Sequence, residues 1–325
     1  MILSLCIVAY NEEDYLPQLL QDICHQDYPH NKLEIVLIDS VSTDNTRKIM
    51  EEFKICNNNF FSIQVLSNTK KSQAAGWNIA INNFRGDVLS RIDAHARLSP
   101  NFVTYVMEDI SECGENIVGG LRPSIAKKDT LWAKILLQVE NSLFGGSVNI
   151  SRRSHSRRYV KTMFHASYRR DVFEKVGLFN ESLLRTEDNE MHYRMRKCGF
   201  KLLYDPRILS FQYMRSSFKA MITQKYKNGY WIGKTLKICP RCISLYHTIP
   251  AVFVVGLVVM AILVPFYWQP FVLICILYAV FSISNAMLCI IKGGFCRYSI
   301  LIPFMYLILH LGYGIGTIRG IFSLK

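Results

Sequence analysis

The chain has 325 residues, 50% of them apolar and only 19% charged. That length suits about two domains of ~150 residues, and so apolar a composition excludes a disordered protein, which stays unfolded because it has little to bury. With 38 Lys and Arg against 25 Asp and Glu, the net charge is +13, which points to an anionic partner: phosphates, nucleic acid or an acidic membrane surface.

The chain opens on an apolar run, 2–9, with no positive region before it and with Asn11, Glu12 and Glu13 after it. This reads as a buried strand rather than a cleaved leader or a membrane span. Strands are predicted at 3–9, 33–39, 62–67, 87–92 and 116–121, and helices around 15–24, 43–53, 73–83 and 100–112. Apolar strands alternating with helices imply a mostly parallel α/β sheet covered on both faces. Ligands of such sheets lie at the carboxyl ends of the strands. Polar residues gather there: Asn11 and Glu12 after the first strand, Asp39 at the end of the second, Asp93 and His95 after the fourth. No G-x-G-x-x-G follows the first strand and no G-x-x-x-x-G-K-[ST] occurs anywhere, which disfavours a dinucleotide or P-loop site. Carboxylates and loop backbone must hold the ligand instead. The ten cysteines follow no framework spacing, which predicts reduced thiols.

Past residue 210 the pattern changes. Phe218, Ile222, Tyr226 and Tyr230 recur every four residues, with Lys219, Lys225, Lys227, Lys234 and Lys237 elsewhere around the helix. Such a helix suits the lipid headgroup region. Three uncharged runs follow, 248–268, 271–291 and 299–318, each long enough for a hydrocarbon core that takes roughly 20 apolar residues. Buried helices of soluble domains normally keep a polar face, so the first two runs are read as membrane spans. The third, with His310 and glycines 312, 314, 316 and 320, reads as a span or as a re-entrant, tightly packed helix. Lys234, Lys237 and Arg241 before the first run, and Lys292 and Arg297 after the second, put both flanks in the cytoplasm by the positive-inside rule. The expected division is an α/β domain over 1–210, an amphipathic membrane-interface segment over 211–245 and a membrane domain over 246–325. This describes a multi-pass cell-membrane protein whose first domain is cytoplasmic. Cys239 and Cys242 form a C-x-x-C without the second ligand pair that zinc needs.

Four segments, in order, carry a resemblance. They are I-V-A-Y-N-E-E at 7–13, L-I-D-S-V-S-T-D-N-T at 37–46, S-R-I-D-A-H-A at 90–96, and Y-R-R-D-V-F-E-K-V-G-L-F-N-E-S-L at 168–183 followed by R-T-E-D-N-E at 185–190. Together they resemble a family 2 glycosyltransferase of the GT-A fold. The D-x-H variant and the last block most resemble bacterial exopolysaccharide enzymes of the succinoglycan glucosyltransferase type. The resemblance implies inverting transfer of a sugar from a UDP-sugar donor to a polyprenyl-diphosphate-linked saccharide. Two alternatives stay open: transfer to polyprenyl phosphate itself, and a catalytically degenerate donor-binding membrane scaffold. Residues 224–228 read Q-K-Y-K-N where polysaccharide synthases carry Q-x-x-R-W, which argues against a processive polymerase. Nucleic acid is set aside as a partner because no recognised module accompanies the basic charge.

Asp93 and His95 straddle one residue, so in an extended segment both side chains fall on one side. A carboxylate oxygen and an imidazole nitrogen suit Mn²⁺ or Mg²⁺, with diphosphate oxygens and water completing the shell. His in the second place favours Mn²⁺. The resemblance implies that Asp93 also approaches the donor ribose, that Asp39 bonds the uracil ring, and that Ala9, Asn11 and Glu12 line the same pocket. Asp39 equally suits a turn or a helix cap, and Ser40 stands where the family has a second Asp. The resemblance implies that in Thr186-Glu187-Asp188, Asp188 takes the base position and removes the acceptor proton; Thr186 or Asp188 equally suits a helix cap. A helix N-terminus there lowers the Asp188 pKa, while one of Glu187 and Glu190 holds Arg185 or a substrate hydroxyl. Arg152 and Arg153 share a polar stretch with Arg157, Arg158 and Lys161; Arg169 and Arg170 belong to the recognised block. Both pairs are acceptor or phosphate contacts, or else a solvated loop and a helix surface.

Overall fold

A computed structural model of the chain describes residues 1–146 and 154–323. It divides into two compact units, Met1–Pro123 with Asn149–Tyr213 and Ser124–Val148 with Met214–Lys325. The first unit begins β1 (Leu3–Ala9), α1 (Leu16–Cys24), β2 (Leu33–Asp39), α2 (Thr46–Cys56), β3 (Ser62–Ser67) and α3 (Gln73–Asn83). It continues through β4 (Val88–Asp93), β5 (Ala96–Leu98), α4 (Phe102–Ser111) and β6 (Ile117–Leu121). The second unit opens with β7 (Ser124–Ile125) and α5 (Leu131–Asn141). The chain then returns to the first with β8 (Arg158–Val160), β9 (Ser167–Arg169), α6 (Arg170–Val176), α7 (Glu187–Lys197) and β10 (Leu202–Tyr213).

Period-two burial explains the sheet. On β1, Leu3, Leu5, Ile7 and Ala9 pack into one core with Leu16 and Leu19 of α1, Met50 of α2 and Phe102 of α4. Cys6 points the other way, into a core with Trp77 of α3, Val172 of α6 and Met191 of α7. Successive side chains leave opposite faces of a strand, so a strand apolar at every position needs helices on both sides. The order is β3-β2-β1-β4-β9-β6-β10-β5. β3, β2, β1 and β4 run parallel, as do β6 and β10. β9 enters antiparallel between β4 and β6, and β5 and β8 pair antiparallel with β10. The sheet is therefore mixed, where the sequence predicts a mostly parallel one. The strands that make it so, β5, β8 and β9, have three residues each, too few for a periodic pattern to declare itself. In register, Ala9 lies beside Asp39 and Val8 beside Asp93, so the three strand ends meet on one edge.

The second unit ends in α8 (Phe218–Ile238), α9 (Ile249–Leu263), α10 (Gln269–Gly293) and α11 (Ile302–Phe322). Two stretches, Gln269–Gly293 and Ser299–Phe322, are long and apolar enough to cross a membrane by length and composition. α9 has 15 residues, about 22 Å at 1.5 Å per residue, short of a ~30 Å hydrocarbon core. The run 248–268, read as a full span, thus holds a short helix, while the less regular run 299–318 belongs to a continuous long one. The most apolar part of Gln269–Gly293 is 11% buried against 39% for Ser299–Phe322, because α8 covers α11. The two backbones touch. A Cβ on Gly229 or Gly233 would collide with the carbonyl oxygen of Tyr313 or Thr317, and one on Gly316 or Gly320 with that of Tyr226 or Tyr230. Small residues permit such close helix packing. The α8 face predicted to meet lipid thus gives part of its length to a helix seam.

Candidate active site

β4 carries Asp93 to the edge of the sheet, and the turn Ala94-His95 leads at once into β5. Asp93 and His95 line one hollow of about 170 Å³ together with Val8, Ala9, Tyr10, Glu12, Ser40, Lys71 and Gln73. Gln212, near the end of β10, lies between the two side chains. Its Nε2 donates to Asp93 Oδ2 at 3.4 Å and to His95 Nε2 at 3.0 Å. Its Oε1 accepts from Arg122 Nη1, which assigns the direction of the amide. On its other side, His95 Nδ1 sits 3.2 Å from Glu12 Oε1. A carboxylate there keeps the ring proton on Nδ1 and frees the Nε2 lone pair, the arrangement that prepares a metal-binding histidine.

Asp93 is held ionised. Burial pushes its pKa up, but His165 Nε2 at 3.3 Å and Arg122 Nη1 at 3.7 Å outweigh it and set the carboxyl well below the ordinary range. Arg122 itself stacks over the Phe164 ring at 3.8 Å. Among the described residues no three His, Cys, Asp or Glu side chains gather as a ready metal cage. Asp93 and His95 fit a cation nonetheless: a carboxylate oxygen and an imidazole lone pair point at one shared donor from two sides, and both atoms suit Mn²⁺ or Mg²⁺ once substrate oxygens and water fill the shell.

The loops around this edge are strained. Asn11, Val41, Lys71 and His165 have φ of 54°, 59°, 55° and 46°, and are the non-glycine residues in left-handed backbone among those described. For a β-branched residue such as Val41 this costs roughly 1–2 kcal/mol. Asn11 does not line the hollow. Its Oδ1 accepts from Thr43 N at 2.8 Å and its N–H donates to Ser42 Oγ at 3.0 Å, which ties the loop after β1 to the loop after β2. Asp39 is buried and accepts from Ser42 N at 3.1 Å, the turn role that its sequence position also suits. Ala9 and Glu12 do line the hollow, Glu12 with its carboxylate turned to His95.

Asp188 stands in the first turn of α7 beside Glu187, outside the lining of the hollow but near enough for the Asp93 charge to act on it. The helix N-terminus is expected to lower its pKa; the structure corrects this. Burial raises Asp188, and Arg91 with the Asn189 N–H offsets only part of that. Glu187 is raised as well, by burial first and then by Asp188. Arg91, two residues before Asp93 on the same face of β4, places Nη2 3.9 Å from Glu187 Oε1. Its guanidinium is clamped between the rings of Trp77 and Phe179 at 4.6 and 4.7 Å. Behind them, Tyr168 Oη and His192 Nε2 are 2.8 Å apart, and burial drives His192 down to about 3, so it stays a neutral hydrogen-bonding group.

The other arginines are not brought here. Arg169 lies opposite Val88, at the start of β4, and pairs weakly with Asp171 at 3.8 Å. Arg170 donates to the carbonyls of Phe84 and Gly86 and stacks on Phe84. Both sit at the far end of β4 from Asp93, because the antiparallel β9 delivers them to the opposite edge. Arg152 and Arg153 lie outside the described residues. Arg157 pairs with Asp109 at 2.8 Å. Arg91, Arg122, His165 and Gln212 were not legible as site residues. The strand-end rule would have reached Arg122, just past β6, and Gln212 had β10 been read.

A similar structure is that of a mannosyltransferase from Pyrobaculum calidifontis solved with GDP-mannose and Mn²⁺, with a TM-score of 0.66 over 99% of this chain and 88% of that one, at 14% identity. The fold is thus that of the GT-A glycosyltransferases. Residues 4–177 match the model of Glycosyl transferase family 2, and 92–318 that of Glycosyl transferase family group 2. The chain belongs to family 2 and is a glycosyltransferase. Among its relatives is the dolichyl N-acetyl-alpha-D-glucosaminyl phosphate 3-beta-D-2,3-diacetamido-2,3-dideoxy-beta-D-glucuronosyltransferase of Methanococcus voltae. It is 29% identical over 233 residues, 70% of this chain and 71% of that protein. The succinoglycan biosynthesis protein ExoA of Rhizobium meliloti is 26% identical over 234 residues, 70% and 67%.

Proposed function

We propose that the chain moves a sugar, with inversion, from a UDP-sugar seated over Asp93 to a polyprenyl-diphosphate-linked saccharide presented to Asp188, at the cytoplasmic face of the cell membrane. The observation that carries this reading is the convergence of Asp93, His95 and Glu12 on one hollow, with the buried acids of α7 within electrostatic reach. Mn²⁺ or Mg²⁺ held by Asp93 and His95 would neutralise the diphosphate as it departs. Glu12 holds the His95 ring through Nδ1 and leaves Nε2 turned to the hollow, and His165 with Arg122 keeps Asp93 charged. Asp188 accepts the acceptor hydroxyl proton while that oxygen bonds to the anomeric carbon from the side opposite the diphosphate, and UDP leaves with the electrons of the broken bond. Ala9 contributes through its place at the end of β1.

The Methanococcus voltae relative, named for a dolichyl-phosphate-linked sugar, supports a lipid-linked saccharide as acceptor, and the succinoglycan biosynthesis relative supports a part in polysaccharide assembly. The apolar, outward-facing Gln269–Gly293 supports a membrane seat. The test is a UDP-sugar screen in metal-stripped membranes, with Mn²⁺ or Mg²⁺ restored, offering polyprenyl-diphosphate saccharide and polyprenyl phosphate side by side. Extension of the diphosphate-linked saccharide is expected. A polyprenyl-phosphate sugar as sole product would reject the acceptor, and donor binding without any turnover would leave a scaffold.

A further inference from the structure

The chain's surplus of positive charge has one address. Met214–Lys325 contains 11 Lys and Arg and not one Asp or Glu, so the rest of the chain holds 27 basic residues against 25 acidic ones. Of the basic residues in this stretch, Lys225 finds a carboxylate in Glu140 at 3.5 Å. Lys234, Lys237 and Arg319 have no such partner among the described residues.

The seam between α8 and α11 brings these three together. Tyr226 meets Gly316 and Tyr230 meets Gly320; the contacts advance in step, so the two helices run parallel and finish side by side. Arg319 Nη1 donates to Tyr226 Oη at 2.9 Å. Lys237 Nζ donates to the Ser323 carbonyl at 2.7 Å. The Lys234 ammonium lies 5.5 Å from the Tyr230 ring and 5.3 Å from the Trp231 ring. Helix C-termini attract cations, but two ends supply only about half a negative charge each, against three full positive ones. The protein itself leaves an excess. Apolar α9 starts at Ile249, soon after α8 ends at Ile238, so the cluster sits where polar chain gives way to apolar helix. Tyr and Trp are the residue types that settle at headgroup depth.

We propose that Lys234, Lys237 and Arg319, with the hydroxyls of Tyr226 and Tyr230, bind the phosphate of an anionic phospholipid headgroup. A phosphodiester brings the missing negative charge and acceptor oxygens for ammonium, guanidinium and phenol donors at once. The site rests on the membrane seat proposed above.

The experiment offers equal amounts of phosphatidylglycerol and phosphatidylcholine to the full-length protein in neutral detergent and measures the lipid retained by native mass spectrometry. Preferential retention of phosphatidylglycerol is expected. K234Q/K237Q/R319Q should reduce the preference about a hundredfold, the factor that three near-surface cations supply together, while K234R/K237R keeps it and reports that the seam still folds. Equal retention of both lipids, or a preference that survives in the triple Gln variant, overturns the site. So does displacement of the lipid by inorganic phosphate at the same concentration, since a free anion would then be the ligand. Sugar transfer that fails while the lipid preference holds counts against the proposed reaction and supports the site. A chain left in the supernatant when membranes are sedimented without detergent removes the membrane seat and the site with it.

Discussion

Replacing Arg91 by Met removes the guanidinium that faces both acids of α7 and leaves a side chain that fills much of the same space. At the 3.9 Å separation from Glu187, two unit charges interact by about 4 kcal/mol at an effective dielectric of 20. Stacking on Trp77 and Phe179 adds about 1 kcal/mol. Against this, the buried Arg91 Nε has no acceptor, an offset of about 2 kcal/mol that methionine relieves. The net loss is about 3 kcal/mol when Glu187 is ionised, in line with removing one member of a buried pair. It should depend on pH in a definite sense. Burial raises the Glu187 pKa in the folded state, so the native protein holds more protons than the unfolded chain between the ordinary and the raised value, and stability falls as pH rises through that window. Without Arg91 the raise grows and the fall steepens. Unfolding of wild type and Arg91→Met is compared at pH 5 and pH 8; the deficit should be about 3 kcal/mol at the higher pH, and at the lower, where only the lost stacking and the relieved Nε remain, the variant should be the more stable by about 1 kcal/mol. A deficit equal at both refutes the ionic account and reduces Arg91 to packing.

Three further outcomes follow from the site and the helix seam. Asp188→Asn should lower kcat about 10²- to 10⁴-fold, the usual range for a general base, with UDP binding by calorimetry unchanged. Glu12→Gln removes the carboxylate that orients His95, so the Mn²⁺ concentration for half-maximal transfer should rise about 10- to 100-fold while kcat at saturating Mn²⁺ recovers; loss of kcat without a shift in the metal titration would assign Glu12 elsewhere. Gly320→Val drives a side chain into the Tyr230 carbonyl and should destabilise the second unit by about 2 kcal/mol or more. The exposed neighbour substitution Ile321→Val serves as control and should stay within about 0.5 kcal/mol, both read as melting in detergent.

Much of the first unit was legible because its strands are long and buried on both faces. β1, β2, β3 and α3 lie at 3–9, 33–39, 62–67 and 73–83, where the apolar runs and their polar punctuation place them. The chemistry at the strand ends was legible for the same reason, since Asp93 and His95 follow a run that can only be a buried strand. What escaped was whatever depends on contacts distant in sequence. β9 is three residues whose role exists only between β4 and β6, and it sets Arg169 and Arg170 at the far end of β4 from Asp93. His165, Arg122 and Gln212 reach Asp93 from separations of 72 residues for His165 and 119 for Gln212, beyond any local pattern. The Asp188 pKa went wrong through burial: a helix dipole is a local inference, whereas desolvation by a tertiary core is not. In the second unit, apolar length alone could not separate the short α9 from the long α11, because charge-free sequence continues past the point where α9 stops.

The antiparallel insertion of β9 also bears on how the protein is made. Among the described residues, the strands from Leu3 to Asp93 and the pair β6 and β10 join only through Ser167–Arg169. At 5–20 residues per second, the ribosome needs roughly 2–10 s after finishing β6 to deliver that stitch. During this interval the nascent first half carries an open β4 edge, a hazard for strand pairing between chains. By the time β10 closes the sheet, the apolar helices are already entering translation, so completion of the sheet and emergence of the apolar segments fall within the same short span of synthesis.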